Sequence, residues 1–176
     1  IVYAFVIPIM TMFIPSPVVL LWSGLAFMHL LLRHLVTKKL FKSLISDKRS
    51  VEKYLRWSIY LSVYSGLLWG SLVWFNFIYL PYLYHYVSIA VILVVASAAI
   101  WTLSMIFISY LAFFSPMMFL LLAALVSTGE RDDLVIALMT LIYILVIVPI
   151  ARALYKRTKE SFELTTTLKE SESKLA

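Results

Sequence analysis

The chain has no cysteine, which excludes disulfides and thiolate metal sites. Acid is scarce, with nine Asp and Glu against fifteen Lys and Arg. Between Trp57 and Gly129 lie 73 residues with no charged side chain of either sign. Carboxylates inside membrane segments usually mark proton or ion paths, so their lack there argues against an ion-coupled transporter. No Ser/His/Asp set, phosphate-binding loop or metal-ligand spacing occurs. Neither a catalytic residue, a metal nor a cofactor is expected, and any enzyme would have to lie outside this chain. The apolar runs do not alternate as the short strands of a membrane barrel would.

What the chain has in abundance is apolar surface. It is 63% hydrophobic and 14% charged, with a mean hydropathy of +0.97. Soluble domains stand near half apolar and a quarter charged. The expectation is an all-α membrane protein, a bundle of six transmembrane helices with its last helix extended into water. A chain beginning Ile-Val-Tyr and stopping inside a helical pattern reads as cut at both ends, with no signal peptide visible at its start.

Spans are placed by length, since a helix crosses a core of roughly 30 Å with about 20 residues. Residues 1–13 are too few alone and read as part of a first span. The Ile14-Pro15-Ser16-Pro17 turn follows, with Ser16 as an expected N-cap. The next spans are expected at 17–36, 57–77, 84–103, 108–126 and 134–154. The turn between the third and fourth runs through Ile78 to Tyr82. The turn near 104–107 carries no breaker.

Charge sets the sidedness. From Arg33 to Arg56 there are eight Lys and Arg against two acids, whereas residues 127–133 hold one Arg and three acids. By the positive-inside rule the first loop is cytoplasmic and the second is outside. That parity requires an odd number of spans between them, and three fit. The whole tally is fourteen basic residues inside and one outside. Both ends then lie in the cytoplasm, in a bacterial inner membrane. The basic loop reads as a neighbour of anionic lipid, not of nucleic acid.

The last segment organises the chain. Leu134 to Ala151 is an uncharged run of eighteen residues, and the charged stretch after it has no Gly or Pro. Nothing tells the helix to stop. It is expected to continue as a cytoplasmic linker over 155–176, after a sensory membrane part at 1–154. Leu154, Ser161, Leu168 and Leu175 are seven apart, with Leu164 near the intervening position. That heptad trace predicts a homodimer through this helix. Pro149, one turn before the exit, suits a hinge.

The basic loop, Gly66-Leu67-Leu68-Trp69-Gly70, Ala96-Ser97-Ala98-Ala99, the Tyr110 to Pro116 stretch and the exit helix Arg157 to Leu164 form a pattern. It resembles the multi-span membrane input regions found upstream of PAS domains, GGDEF diguanylate cyclases and sensor histidine kinases in bacteria. The ending from Leu168 to Ala176 is similar to the helix that leads into a PAS domain. The resemblance implies that this part senses a signal and that the output enzyme lies downstream. A small apolar ligand, or the state of the lipid bilayer itself, is the expected signal. The alternatives are a membrane anchor that only dimerises the output domain, and a small transporter or channel subunit.

For a ligand pocket, Trp69, Trp74, Asn76, Tyr79, Tyr82 and His85 are the candidates, near the outer ends of the third and fourth spans. An interfacial aromatic belt is the commoner explanation of the rings. Gly66 and Gly70 form a GxxxG pair that permits close helix approach, expected within the protomer. His29 and His34 are five apart and do not share a helix face. His29 is expected as a buried polar residue bonding between helices.

Overall fold

A computed structural model describes residue 11 and residues 14–43, 48–103 and 106–175. The expected first span at 1–13 lies outside the described residues, apart from Thr11. Among the described residues there are five α-helices and no strand. They are α1 (Ser16–Ser43), α2 (Lys48–Tyr79), α3 (Tyr82–Leu103), α4 (Phe107–Thr128) and α5 (Arg131–Leu175). Each contains a segment long and apolar enough to cross a membrane. The class is therefore a helical membrane protein with several spans.

The helices overrun the expected spans. The α1 helix continues to Ser43 and α2 starts at Lys48, so most of the basic loop is helical. Hydrophobicity marks where lipid begins, but a helix ends only where its backbone groups find other partners. Residues 44–47, between the two helices, lie outside the described residues. At the start of α1, the Pro15 carbonyl accepts from the N–H groups of Val18 (3.0 Å) and Val19 (3.3 Å). The helix thus begins one residue earlier than expected, and Ser16 is its first residue instead of its cap.

The turns are short. Leu80 and Pro81 alone separate α2 from α3, where Pro81 withholds the N–H that would continue α2. The break before α4 falls where expected; Ile106 leaves the helical region (φ −133°, ψ 89°) without a side-chain cap. Gly129 closes α4 at φ 68°, ψ 0°, a left-handed conformation that glycine adopts without strain. The next helix starts at Arg131 rather than Leu134, because Arg131-Asp132-Asp133 forms its first turn. Acids there suit the positive end of a helix dipole.

The core is the parallel pair α2 and α4. Leu72 and Val73 of α2, with Met117, Leu121, Ala124 and Leu125 of α4, are almost wholly buried. The GxxxG pair makes this approach possible. A β-carbon on Gly66 would strike the Phe113 carbonyl and come within 2.8 Å of the Pro116 ring. One on Gly70 would lie 2.6 Å from a methyl of Leu120. The pair therefore serves packing inside the protomer. Pro116 lies inside α4, against this seam, and α4 runs on through it.

The other helices wrap this pair. Antiparallel to α2, α1 contributes Trp22, whose Nε1–H donates to the Leu68 carbonyl (3.2 Å) and whose ring meets Trp69 edge-on at 6.4 Å. The α3 helix lies against both α2 and α4. The last helix packs on α4, with Phe107 and Tyr155 rings 6.1 Å apart at one end. Its 45 residues give a length of about 68 Å. Among its described side chains one stripe is covered, with Asp133, Ala137, Thr140 and Ala151 buried. Leu138, Met139 and Leu145 on its other faces are 60–74% exposed. Lipid tails are as apolar as leucine, so this surface costs nothing inside a bilayer.

Candidate functional site

Two ends of the bundle differ in chemistry. The basic end gathers Lys53 and Arg56 of α2 with Arg152, Lys156 and Lys159 of α5. Open grooves of about 420 Å³ and 470 Å³ run beside them, the first lined by Glu52, Trp57 and Tyr60, the second by Pro149 and Tyr155. The aromatic end holds the α2–α3 turn and the start of α5.

At the aromatic end, sequence and fold converge on a cluster of buried polar groups. Asn76, in the last turn of α2, donates from Nδ2 to Ser88 Oγ at 2.5 Å. The Ser88 hydroxyl in turn donates to the Tyr84 carbonyl (2.9 Å). Its proton is thereby committed, so the Asn76 atom facing it must be the amide nitrogen. That leaves Asn76 Oδ1 buried with no partner.

His85 follows the same logic. Its Nε2 faces the Leu80 carbonyl at 3.1 Å, and a carbonyl only accepts. Nε2 therefore carries the proton, and in the neutral ring Nδ1 is a bare acceptor, buried and unpartnered. The ring is stacked on Phe77 (4.3 Å, 9°) and met edge-on by Tyr82 (5.6 Å). Tyr86 shares a hydroxyl–hydroxyl bond of 2.7 Å with Tyr82.

Asp133 belongs to this end too. The α3 and α5 helices are parallel, and the Tyr143 hydroxyl of α5 meets Ser97 Oγ (2.8 Å) and the Leu93 carbonyl (3.2 Å) of α3. Asp133 lies in the first turn of α5, ten residues before Tyr143 and so toward the start of α3. Asp133 is 0% exposed, and neither carboxylate oxygen has a hydrogen-bond partner. A buried carboxylate without a partner is among the most costly groups a fold can hold.

The six expected pocket residues divide. Asn76, Tyr82 and His85 come together at this end. Tyr79 is there too and, like Tyr82, is exposed. Trp69 faces Trp22 of α1, and Trp74 donates from Nε1 to the Leu120 carbonyl of α4 (3.2 Å). These two are ties between helices, away from the polar cluster. Sequence reasoning missed Asp133, taken as a loop charge, and Ser88. The signal for Asp133 was the 133, 137, 140 spacing, which puts Asp, Ala and Thr on one face of an otherwise apolar membrane segment.

His29 is buried, its ring 5.4 Å from that of Tyr64. The expected interhelix hydrogen bond is not made through Nδ1, which has no partner. His34 is exposed, on another face. In the last helix, α5 continues through Pro149. Leu154 is half-buried, while Ser161 and Leu164 are exposed. The side chains of Leu168 and Leu175 lie outside the described residues. Among the described residues no group of three His, Asp or Glu could hold a metal.

No protein-family model, no curated protein and no solved structure matches the chain.

Proposed function

We propose that the chain is a membrane-embedded sensory and signal-transducing region. It reads a small signal or the state of the bilayer and passes the response through its last helix to a cytoplasmic output module, a PAS, diguanylate cyclase or histidine kinase domain. The observation that carries this is α5, unbroken from buried Asp133 to Leu175, with one covered stripe among its described side chains. A helix held so lightly can shift or rotate between two packings that differ by a few kcal/mol, and a ligand preferring one packing moves the population. Because α5 is continuous, motion at the aromatic end reaches the cytoplasmic end.

In this reading the aromatic end faces outward and the basic end the cytoplasm of a bacterial inner membrane, as the positive-inside rule requires. Residues 1–13 complete a first span, for six in all, and both ends are cytoplasmic. Exposed Ser161 and Leu164 continue a heptad seam that a second copy covers in a parallel homodimer.

The test is disulfide cross-linking of single cysteines through residues 154–175 in membranes, on a background with no native cysteine. Cross-links recurring every three to four residues support the parallel dimer, and a pattern altered by cell extract supports sensing. A periodic pattern that nothing alters favours a bare membrane anchor. The absence of any cross-link rejects the dimeric signalling helix.

A further inference from the structure

One exposed face of α5 changes character along its length. Leu145, Pro149, Arg152, Lys156 and Lys159 follow one another at spacings of four, three, four and three, so they lie on one side of the helix. The groove of about 470 Å³ begins on this face at Pro149. Pro149, Ala153 and Tyr155 are its less polar lining, and Arg152, Lys156 and Lys159 its basic lining. No acid lines it; Glu160, 3.8 Å from Lys156, stands outside. Like charges one turn apart on a helix repel, and this groove holds two such pairs, Arg152 with Lys156 and Lys156 with Lys159. The basic groove on α2 differs, because Glu52 lines it and pairs with Arg56 at 2.6 Å. Pro149 still belongs to the uncharged run that ends at Ala151. The α5 groove therefore opens where hydrocarbon gives way to water.

We propose that this groove holds the phosphate headgroup of an anionic phospholipid, with an acyl chain of the same lipid lying along Leu145. An anion relieves the repulsion among the three cations, and lipid near basic residues at a membrane surface supplies one. The apolar strip that runs from the groove toward Leu145 favours a lipid over a free phosphate, which has no use for it. This rests on the sensory reading above and names the lipid class through which the state of the bilayer reaches α5. Leu154, Ser161 and Leu164 lie on another side of the helix, so a lipid in the groove leaves the proposed dimer seam free.

The experiment reads which lipid sits beside α5. Leu145→Cys, the single thiol in a chain with no native cysteine, carries a bimane label about 10 Å along the helix from Arg152. The labelled chain is placed in phosphatidylcholine bilayers in which either phosphatidylglycerol or phosphatidylcholine has brominated acyl chains, which quench the label. The ratio of the two quenching curves gives the relative association of the lipids. The expected preference for phosphatidylglycerol is about fivefold, what one basic residue near a surface provides. Lys156→Gln with Lys159→Gln is expected to bring the preference close to one. Lys38→Gln with Lys39→Gln removes as much charge from exposed positions on α1 and is expected to keep it.

The preference is read first with the groove intact, and Arg152→Gln alone carries the comparison if the double variant does not fold. No preference, an undiminished preference in the groove variants, or an equal loss in the α1 variant each overturns the proposal. Loss of the preference on adding soluble glycerol phosphate assigns the groove to a free phosphate compound and overturns the lipid. A phosphatidylglycerol preference with α5 cross-links that the lipid does not alter supports the site and rejects its part in signalling. Cross-links altered by cell extract with no lipid preference reject the site and leave the sensory reading standing.

Discussion

The carbonyl of Phe113 on α4 lies against the α-carbon of Gly66 on α2, with no room between them for a β-carbon. The two central helices of the bundle touch backbone to backbone at this point. Gly66→Ala forces α2 and α4 apart or displaces the Pro116 ring. The expected loss is about 1–3 kcal/mol, the usual cost of overpacking. Gly24 supplies the control, because nothing lies within 4 Å of its β-carbon position. Gly24→Ala should gain roughly 0.5–1 kcal/mol from helix propensity alone. Thermal unfolding of both variants in detergent checks the opposite signs.

Trp22 joins α1 to the core through its Nε1–H and its edge contact with Trp69. Trp22→Phe loses the hydrogen bond and leaves a void. The Leu68 carbonyl keeps the Ser71 hydroxyl as a partner at 2.8 Å, so it is not orphaned. The combined cost is expected at about 1–3 kcal/mol. The same unfolding measurement, with proteolysis of the α1–α2 connection, reads whether α1 loosens first.

Tyr143 ties α5 to α3 by its bonds to Ser97 and Leu93. Hydrogen bonds between membrane helices are worth about 0.6 kcal/mol on average and up to about 1.7. Tyr143→Phe should therefore leave the bundle folded but shift the resting position of α5. The check is a changed cross-linking pattern at residues 154–164 without loss of the unfolding midpoint beyond a few degrees. An unchanged pattern would show that this bond does not set the helix position.

Glu52 and Arg56 form an ion pair of 2.6 Å one turn apart, both more than 60% exposed. Such exposed pairs on a helix contribute little and are screened by salt. Glu52→Gln should change stability only slightly, and less in high salt. Unfolding at two ionic strengths tests it.

Much of the architecture was legible from residue order. Uncharged runs of span length, with breakers at Pro15, Pro81 and Gly129, located the helices found at Ser16–Ser43 through Arg131–Leu175. The absence of Gly and Pro after Arg152 foretold one continuous last helix. Helix ends were less legible: Lys48 and Arg131 begin helices earlier than hydropathy suggested, because caps and backbone partners set ends. The described residues contain five span-length helices, so the sixth stands as part of the proposed reading.

The candidate site was half legible. Aromatic density pointed to the right end of the bundle, yet Trp69 and Trp74 belong to helix seams there. Composition cannot say which face of a helix a ring occupies once several neighbours compete for it. Span lengths and the run-on of the last helix were determined by the sequence alone, because hydrophobic length and the lack of helix breakers are local properties. Only the tertiary structure decided that Gly66 seats α4, that Asn76 of α2 meets Ser88 of α3, and that Asp133 is buried. These contacts depend on the register between helices, which side-chain packing sets across distances that no local pattern encodes.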